Sequence, residues 1–185
     1  MLRYVAFLLG ALMFSANTAQ PDASKPYEDP EAYAVYSALL SPNSDKQAVM
    51  AQRTLVFENC YQPDDKWREE LGPVVENYKK INQDRWDLVD ANIRFPHKLI
   101  SAEEMRMFFS KGAKAGWKKF NRKYPDKALL LVSAVGFNSD KTVAMVATES
   151  DCGPLCGSGG MSFLRKVDGV WRKFYPSGTI CTVSH

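Results

Sequence analysis

The stretch "ALLLVSAVGFNSDKTVAMVATESDCGPLCGSGGMSFLRKVDGVWRKFY", residues 128–175, decides the fold. Its apolar residues recur with a period of two, and the pattern breaks where turn-forming residues gather, at 138–141, at 152–157 and at Asp168 and Gly169. An Asp-Gly pair between two such runs is a two-residue hairpin signal. With "GTICTV", residues 178–183, as a last strand, five strands follow one another on short connections. That succession predicts an antiparallel meander.

Before this stretch the period is helical. "PEAYAVYSALLSP" places Pro30 at a helix start, with Tyr33, Tyr36, Leu39 and Leu40 on one side and Pro42 as the stop. "RTLVFENC", residues 53–60, is rich in β-branched and aromatic residues and predicts a strand ending at Cys60. A helical pattern runs from Asp64 to Asn82, with a break expected at Gly72 and Pro73. Residues 83–100 show no clean period and are expected to be irregular, with Trp86 and Phe95 as core plugs.

From Ser101 a single helix is predicted. "SAEE" is a capping box, and Met105, Phe108, Phe109, Gly112, Gly116 and Phe120 share one stripe. Lys111, Lys114, Lys118 and Arg122 fall on the opposite side, a candidate anion-binding face whose plainer reading is a solvated helix surface. Helices first and a meander after predict an α+β fold, N-terminal helices packed on one face of a C-terminal antiparallel β-meander.

The compartment follows from the first residues. "MLRYVAFLLGALMFSANTAQ" has one arginine, an apolar run over 5–14 and a small-residue end, the layout of a secretory leader. Ten apolar residues are too few to span a bilayer. The expected organisation is therefore a signal peptide over 1–19 and a single α+β domain over 20–185, periplasmic or secreted, with no transmembrane segment once the leader is removed. Residues 20–90 carry fourteen acidic and eight basic side chains, and residues 91–185 seven acidic and fifteen basic. This asymmetry lets the halves complement one another or presents a basic surface to an anionic partner.

All four cysteines, Cys60, Cys152, Cys156 and Cys181, lie beyond the leader, and in an oxidising compartment an even set points to disulfides. Of the three possible pairings, the expected one joins Cys152 to Cys156, where Gly153, Pro154 and Gly157 permit a sharp turn, and Cys60 to Cys181.

"VSAVGFN" from Val132, "CGPLCGSGG" from Cys152 and "LRKVDGVW" from Leu164 resemble a family of exported bacterial proteins of unassigned function with a C-G-x-L-C-G hairpin motif. The resemblance covers residues 101–175 and implies export and a shared fold. It implies no reaction, cofactor or catalytic residue.

The cysteine loop also admits a hydrolase and a zinc reading. A small hydrolase would use Ser158 with Glu149 and Asp151, although Cys156 stands where a Gly-x-Ser-x-Gly elbow needs glycine. A Cys3His zinc site would combine Cys152, Cys156, Cys181 and His185, two pairs of equal spacing. His97 reads as a surface or hydrogen-bonded histidine. The reading preferred over both is a disulfide-stabilised binding or structural module of the envelope or secretome. Neither a catalytic residue nor a cofactor or metal is assigned to it. Its expected partner is an envelope or extracellular component, with an anionic ligand as a candidate, and specific nucleic-acid recognition is not expected.

Overall fold

In the computed structural model of the chain, which describes residues 24–40, 47–57, 61–179 and 182–184, eight strands join in one mixed sheet. Its antiparallel part is the segment read first: β6 (Leu129–Val132), β7 (Gly136–Phe137), β8 (Val143–Gly153), β9 (Cys156–Val167) and β10 (Val170–Phe174). Ser150 of β8 faces Ser158 of β9, and Val167 of β9 faces Val170 of β10. The turn between β9 and β10 holds Asp168 and Gly169 at φ 51° and 77°, the left-handed geometry that a two-residue hairpin of this twist requires.

The last strand foreseen over 178–183 is divided between two partners. β11 (Gly178–Thr179) pairs with β3 (Gln62–Pro63), whereas β12 (Thr182–Ser184) pairs with β9.

Beyond β6 the sheet turns parallel. β2 (Ala48–Ala51) lies between β6 and β5 (His97–Ile100) and runs parallel to both. The sequence pattern predicted a strand over 53–60 instead. Residues 53–57 leave the sheet, their amides donating to other segments, Thr54 to the Trp86 carbonyl at 2.8 Å and Leu55 to that of Val132 at 2.7 Å. "AVMA" escaped notice because a central strand buried on both faces shows a short apolar run and no alternation: Val49 and Ala51 enter one core and Met50 another. The stretch expected to be irregular contributes β4 (Trp86–Leu88), parallel to β1 (Lys25–Tyr27), a 3-10 turn and β5. Phe95 is buried and Trp86 half-buried.

Helix α1 (Pro30–Leu40) has the bounds that its prolines predict. Helix α2 (Arg68–Ile81) runs unbroken through Gly72 and Pro73, where a break was expected. A proline ring ordinarily collides with the Cβ of the residue before it in helical geometry, and Gly72 has no Cβ. The single helix foreseen from Ser101 is two, α3 (Ala102–Phe109) and α4 (Ala113–Lys123). Gly112, at φ 88°, makes the bend between them, and the Phe109 ring lies where a side chain on Gly116 would be. The Ser101 hydroxyl accepts from the Glu104 amide as a cap, but the Glu104 carboxylate turns away to Lys123 and Tyr124.

The architecture is α+β, with helices on both faces of the sheet. Tyr33 and Tyr36 of α1 share a core with Met50, Ala144, Val146 and Leu164. Leu71, Val74 and Tyr78 of α2 pack with Val143, Met145, Ala147 and Phe163, from the opposite side of the same strands. Phe108 of α3 and Trp117 and Phe120 of α4 pack with Val49, Ala51, Ile100 and Leu129. The one-face expectation fails at "VAMVA", residues 143–147, which are buried throughout. A strand apolar on both sides needs cover on both sides.

Between β6 and β7 the chain leaves regular pairing while buried, and its backbone groups find specific partners. Tyr36 Oη donates to the Ser133 carbonyl at 2.7 Å. The Ala134 amide donates to Asn82 Oδ1 and the Val135 amide to Tyr27 Oη, each at 2.9 Å. An unpaired buried amide or carbonyl is costly, so these side chains make the irregular crossing possible. Burial raises the phenol pKa of both Tyr27 and Tyr36.

Candidate functional site

Because β2, β5 and β6 run the same way, their C-terminal ends lie side by side, and the β5 end passes through Ser101 directly into α3. In parallel sheets the crevice beyond the carboxyl ends of the strands is where ligands meet the connecting loops. A groove of about 340 Å³ occupies that place, with Ala51, Leu55, Ile100, Met105 and Leu131 as its apolar surface. Thr54, Ala102 and three arginines, Arg53, Arg85 and Arg106, complete the lining, and no carboxylate does. The arginines come from three segments: Arg53 lies just past β2, Arg85 just before β4, and Arg106 in α3.

The three differ in their engagements. Arg53 Nε donates to Asp87 Oδ1 at 3.1 Å, and Asp87 also accepts from the Ser24 hydroxyl. The Arg85 and Arg106 side chains are exposed and form no ion pair or hydrogen bond among the described residues. Guanidinium groups stay charged at any ordinary pH and present forked donors suited to carboxylate or phosphate oxygens. Ala102, the first residue of α3, also lines the groove, so the positive end of that helix adds to the field. A second cavity of about 230 Å³ shares Arg53 and Arg85 and is otherwise lined by Ser24, Lys25, Val56, Gln83 and Asp84.

Sequence reasoning passed over these arginines, since nothing in their spacing joins them. The only usable signal was "HKLI" leading straight into "SAEE", a strand end opening on a capped helix. The residues it did single out lie elsewhere. Lys111, Lys114, Lys118 and Arg122 are exposed and without an ion pair among the described residues. Their neighbours are engaged, Lys123 with Glu104 at 2.6 Å and Lys119 with the Met107 carbonyl at 3.2 Å.

Cys152 and Cys156 form a disulfide at the tip of the β8–β9 hairpin, with Cα atoms 5.1 Å apart. Leu155, inside the ring they close, is 88% exposed. Cys60, Cys181 and His185 lie outside the described residues, as does the predicted leader. Bonded sulfurs are not thiolate ligands, so the Cys3His zinc alternative loses two of its four groups.

The hydrolase constellation is not assembled among the described residues. Ser158 faces Ser150 while Glu149 faces Gly159, one position on, so the serine and the carboxylate project from opposite sides of the sheet. No histidine lines the depression around Ser158. His97 sits on β5, with its ring nitrogens 2.8 Å from the Phe95 carbonyl and 2.9 Å from Asp90 Oδ1, a hydrogen-bonded histidine as expected. Among the described residues no helix is long and apolar enough to cross a membrane.

Searched against family models, curated proteins and solved structures, the chain matches none.

Proposed function

We propose that this chain is an exported binding module that holds an anionic ligand in the arginine-lined groove. One observation carries the reading: three arginines from separate segments converge on an open groove at the ends of parallel strands, two of them without a partner among the described residues. Arg53 is neutralised by Asp87, whereas Arg85 and Arg106 keep their charge toward the groove with no carboxylate in its lining.

Export is supported by the leader-like N-terminus and by the disulfide ring, which suits an oxidising compartment. A binding role is supported over hydrolysis by the separation of Ser158 from Glu149. Calorimetry with small organic carboxylates and phosphates tests the groove. Arg85→Gln combined with Arg106→Gln is expected to weaken binding by at least about tenfold, since each removes a charge-assisted donor. Unchanged affinity in that variant, or no anion bound by the parent, overturns the reading. Fractionation of a producing cell tests export: the expected product is a periplasmic or secreted chain that begins near residue 20.

A further inference from the structure

We infer that the ligand is an amphipathic organic anion, with one anionic head held between Arg53, Arg85 and Arg106 and one apolar arm the size of a short acyl chain. This inference rests on the anion-binding reading of the groove and adds the division of the site into parts. Arg53 and Arg85 line both cavities, so they stand where the two meet. On one side the larger cavity offers Leu55, Ile100, Met105 and Leu131, with no acidic side chain. On the other, the smaller cavity is mostly polar, with Ser24, Gln83, Val56 and the Lys25–Asp84 ion pair.

An inorganic anion would use the guanidinium groups and leave the apolar wall wet. A neutral apolar molecule would bring nothing to the cations. A ligand that joins the two properties uses both. Met105 is suited to the apolar part, because an unbranched thioether adapts to chains of different length.

The test compares acetate with hexanoate, and inorganic phosphate with hexyl phosphate, by calorimetry on the purified protein. Each methylene removed from water contributes roughly fourfold in affinity when fully buried. The groove is open on one side, so hexanoate is expected to bind at least about tenfold tighter than acetate, with the same ordering for the phosphate pair. Hexanamide, which keeps the chain and lacks the charge, is expected to bind at least about tenfold more weakly than hexanoate. Met105→Ser should reduce the preference for the longer chain.

Equal affinities for short and long chains would overturn the inference while leaving an anion site standing. Failure of every anion to bind would remove the underlying reading as well. Hexanamide binding as tightly as hexanoate would show an apolar pocket indifferent to charge and would also overturn it.

Discussion

The Tyr36 hydroxyl donates to the Ser133 carbonyl oxygen at 2.7 Å, tying the first helix to the point where the chain passes from β6 to β7. Both groups are buried, and the carbonyl has lost its place in the sheet ladder. Removing the hydroxyl leaves that oxygen dry and unpaired. Tyr36→Phe is therefore expected to cost about 1–3 kcal/mol in urea unfolding, with little change in the fold. A loss of a few tenths of a kcal/mol would mean that water reaches the carbonyl.

Gly136 marks the closest approach of α2 to the sheet. An added Cβ there would sit 2.6 Å from both the Cα and the amide nitrogen of Tyr78, so the collision is with backbone, which cannot rotate away. Gly136→Ala is expected to destabilise by about 2 kcal/mol or more. Gly169→Ala is the contrasting case, with nothing within 4 Å of the new atom and only the positive φ to pay for. It should cost about 1–2 kcal/mol. If the two variants unfold with the same midpoint, the α2 contact is looser than described.

Glu31 joins α1 to the end of the meander. Its Oε2 accepts from the Lys166 ammonium at 2.7 Å and from the Trp171 indole at 3.0 Å. The bond from Lys166 is the main cause that holds its carboxyl below the ordinary glutamate value, and the Trp171 bond and the Lys166 charge add to it. A group depressed in the folded state contributes stability above its unfolded pKa and loses it as the pH falls through the folded one. Glu31→Gln should thus be less stable than the parent by about 1 kcal/mol near neutral pH, a modest figure for a half-exposed group. The gap should narrow as the pH falls past the ordinary glutamate value, about 4.3, and close once it is below the depressed folded one. A gap that persists in acid would place the effect in packing rather than charge.

What could be read from the sequence was what local chemistry decides. Pro30 opens α1, Asp168 and Gly169 make the hairpin, and Cys152 and Cys156, four positions apart, close their ring locally. The parallel strand over 48–51 was hidden because burial on both faces erases alternation. The continuity of α2 through Pro73 depended on the missing Cβ of its neighbour, and the bend at Gly112 interrupted a stripe whose spacing looked unbroken. The groove was the least legible part. Arg53 and Arg106 line one groove because β2 and β5 pair in parallel, Arg85 joins them where the Thr54 amide donates to the Trp86 carbonyl, and no window of sequence contains either contact.

The exposed cations near α4 form a second, separate basic surface. Lys111, Lys114, Lys118 and Arg122 are engaged with no described carboxylate, so they are free to hold counterions or a polyanion. Converting all four to Gln should sharply reduce retention on heparin, while the melting temperature shifts little, because solvent-face changes fall within about 0.5 kcal/mol. Binding of small carboxylates in the groove should be unaffected. Equal heparin retention by the variant would reduce this face to a solvated helix surface.

The second disulfide is expected between Cys60 and Cys181, both outside the described residues. Cys152 and Cys156 are already joined to each other, which leaves these two as the remaining cysteines of the chain. The described strands beside them favour the pairing: β3 and β11 are antiparallel, with Gly178 opposite Pro63 and Thr179 opposite Gln62. The bridge would close a loop of about 120 residues, for which chain entropy gives close to 5 kcal/mol as an upper figure, against about 2 kcal/mol for the short ring. Peptide mapping of the oxidised protein without reductant should yield two crosslinked species, one within the hairpin and one joining Cys60 to Cys181. Cys60→Ser with Cys181→Ser should then lower stability more than Cys152→Ser with Cys156→Ser. A crosslink from Cys60 to either hairpin cysteine, or four free thiols, would defeat the assignment.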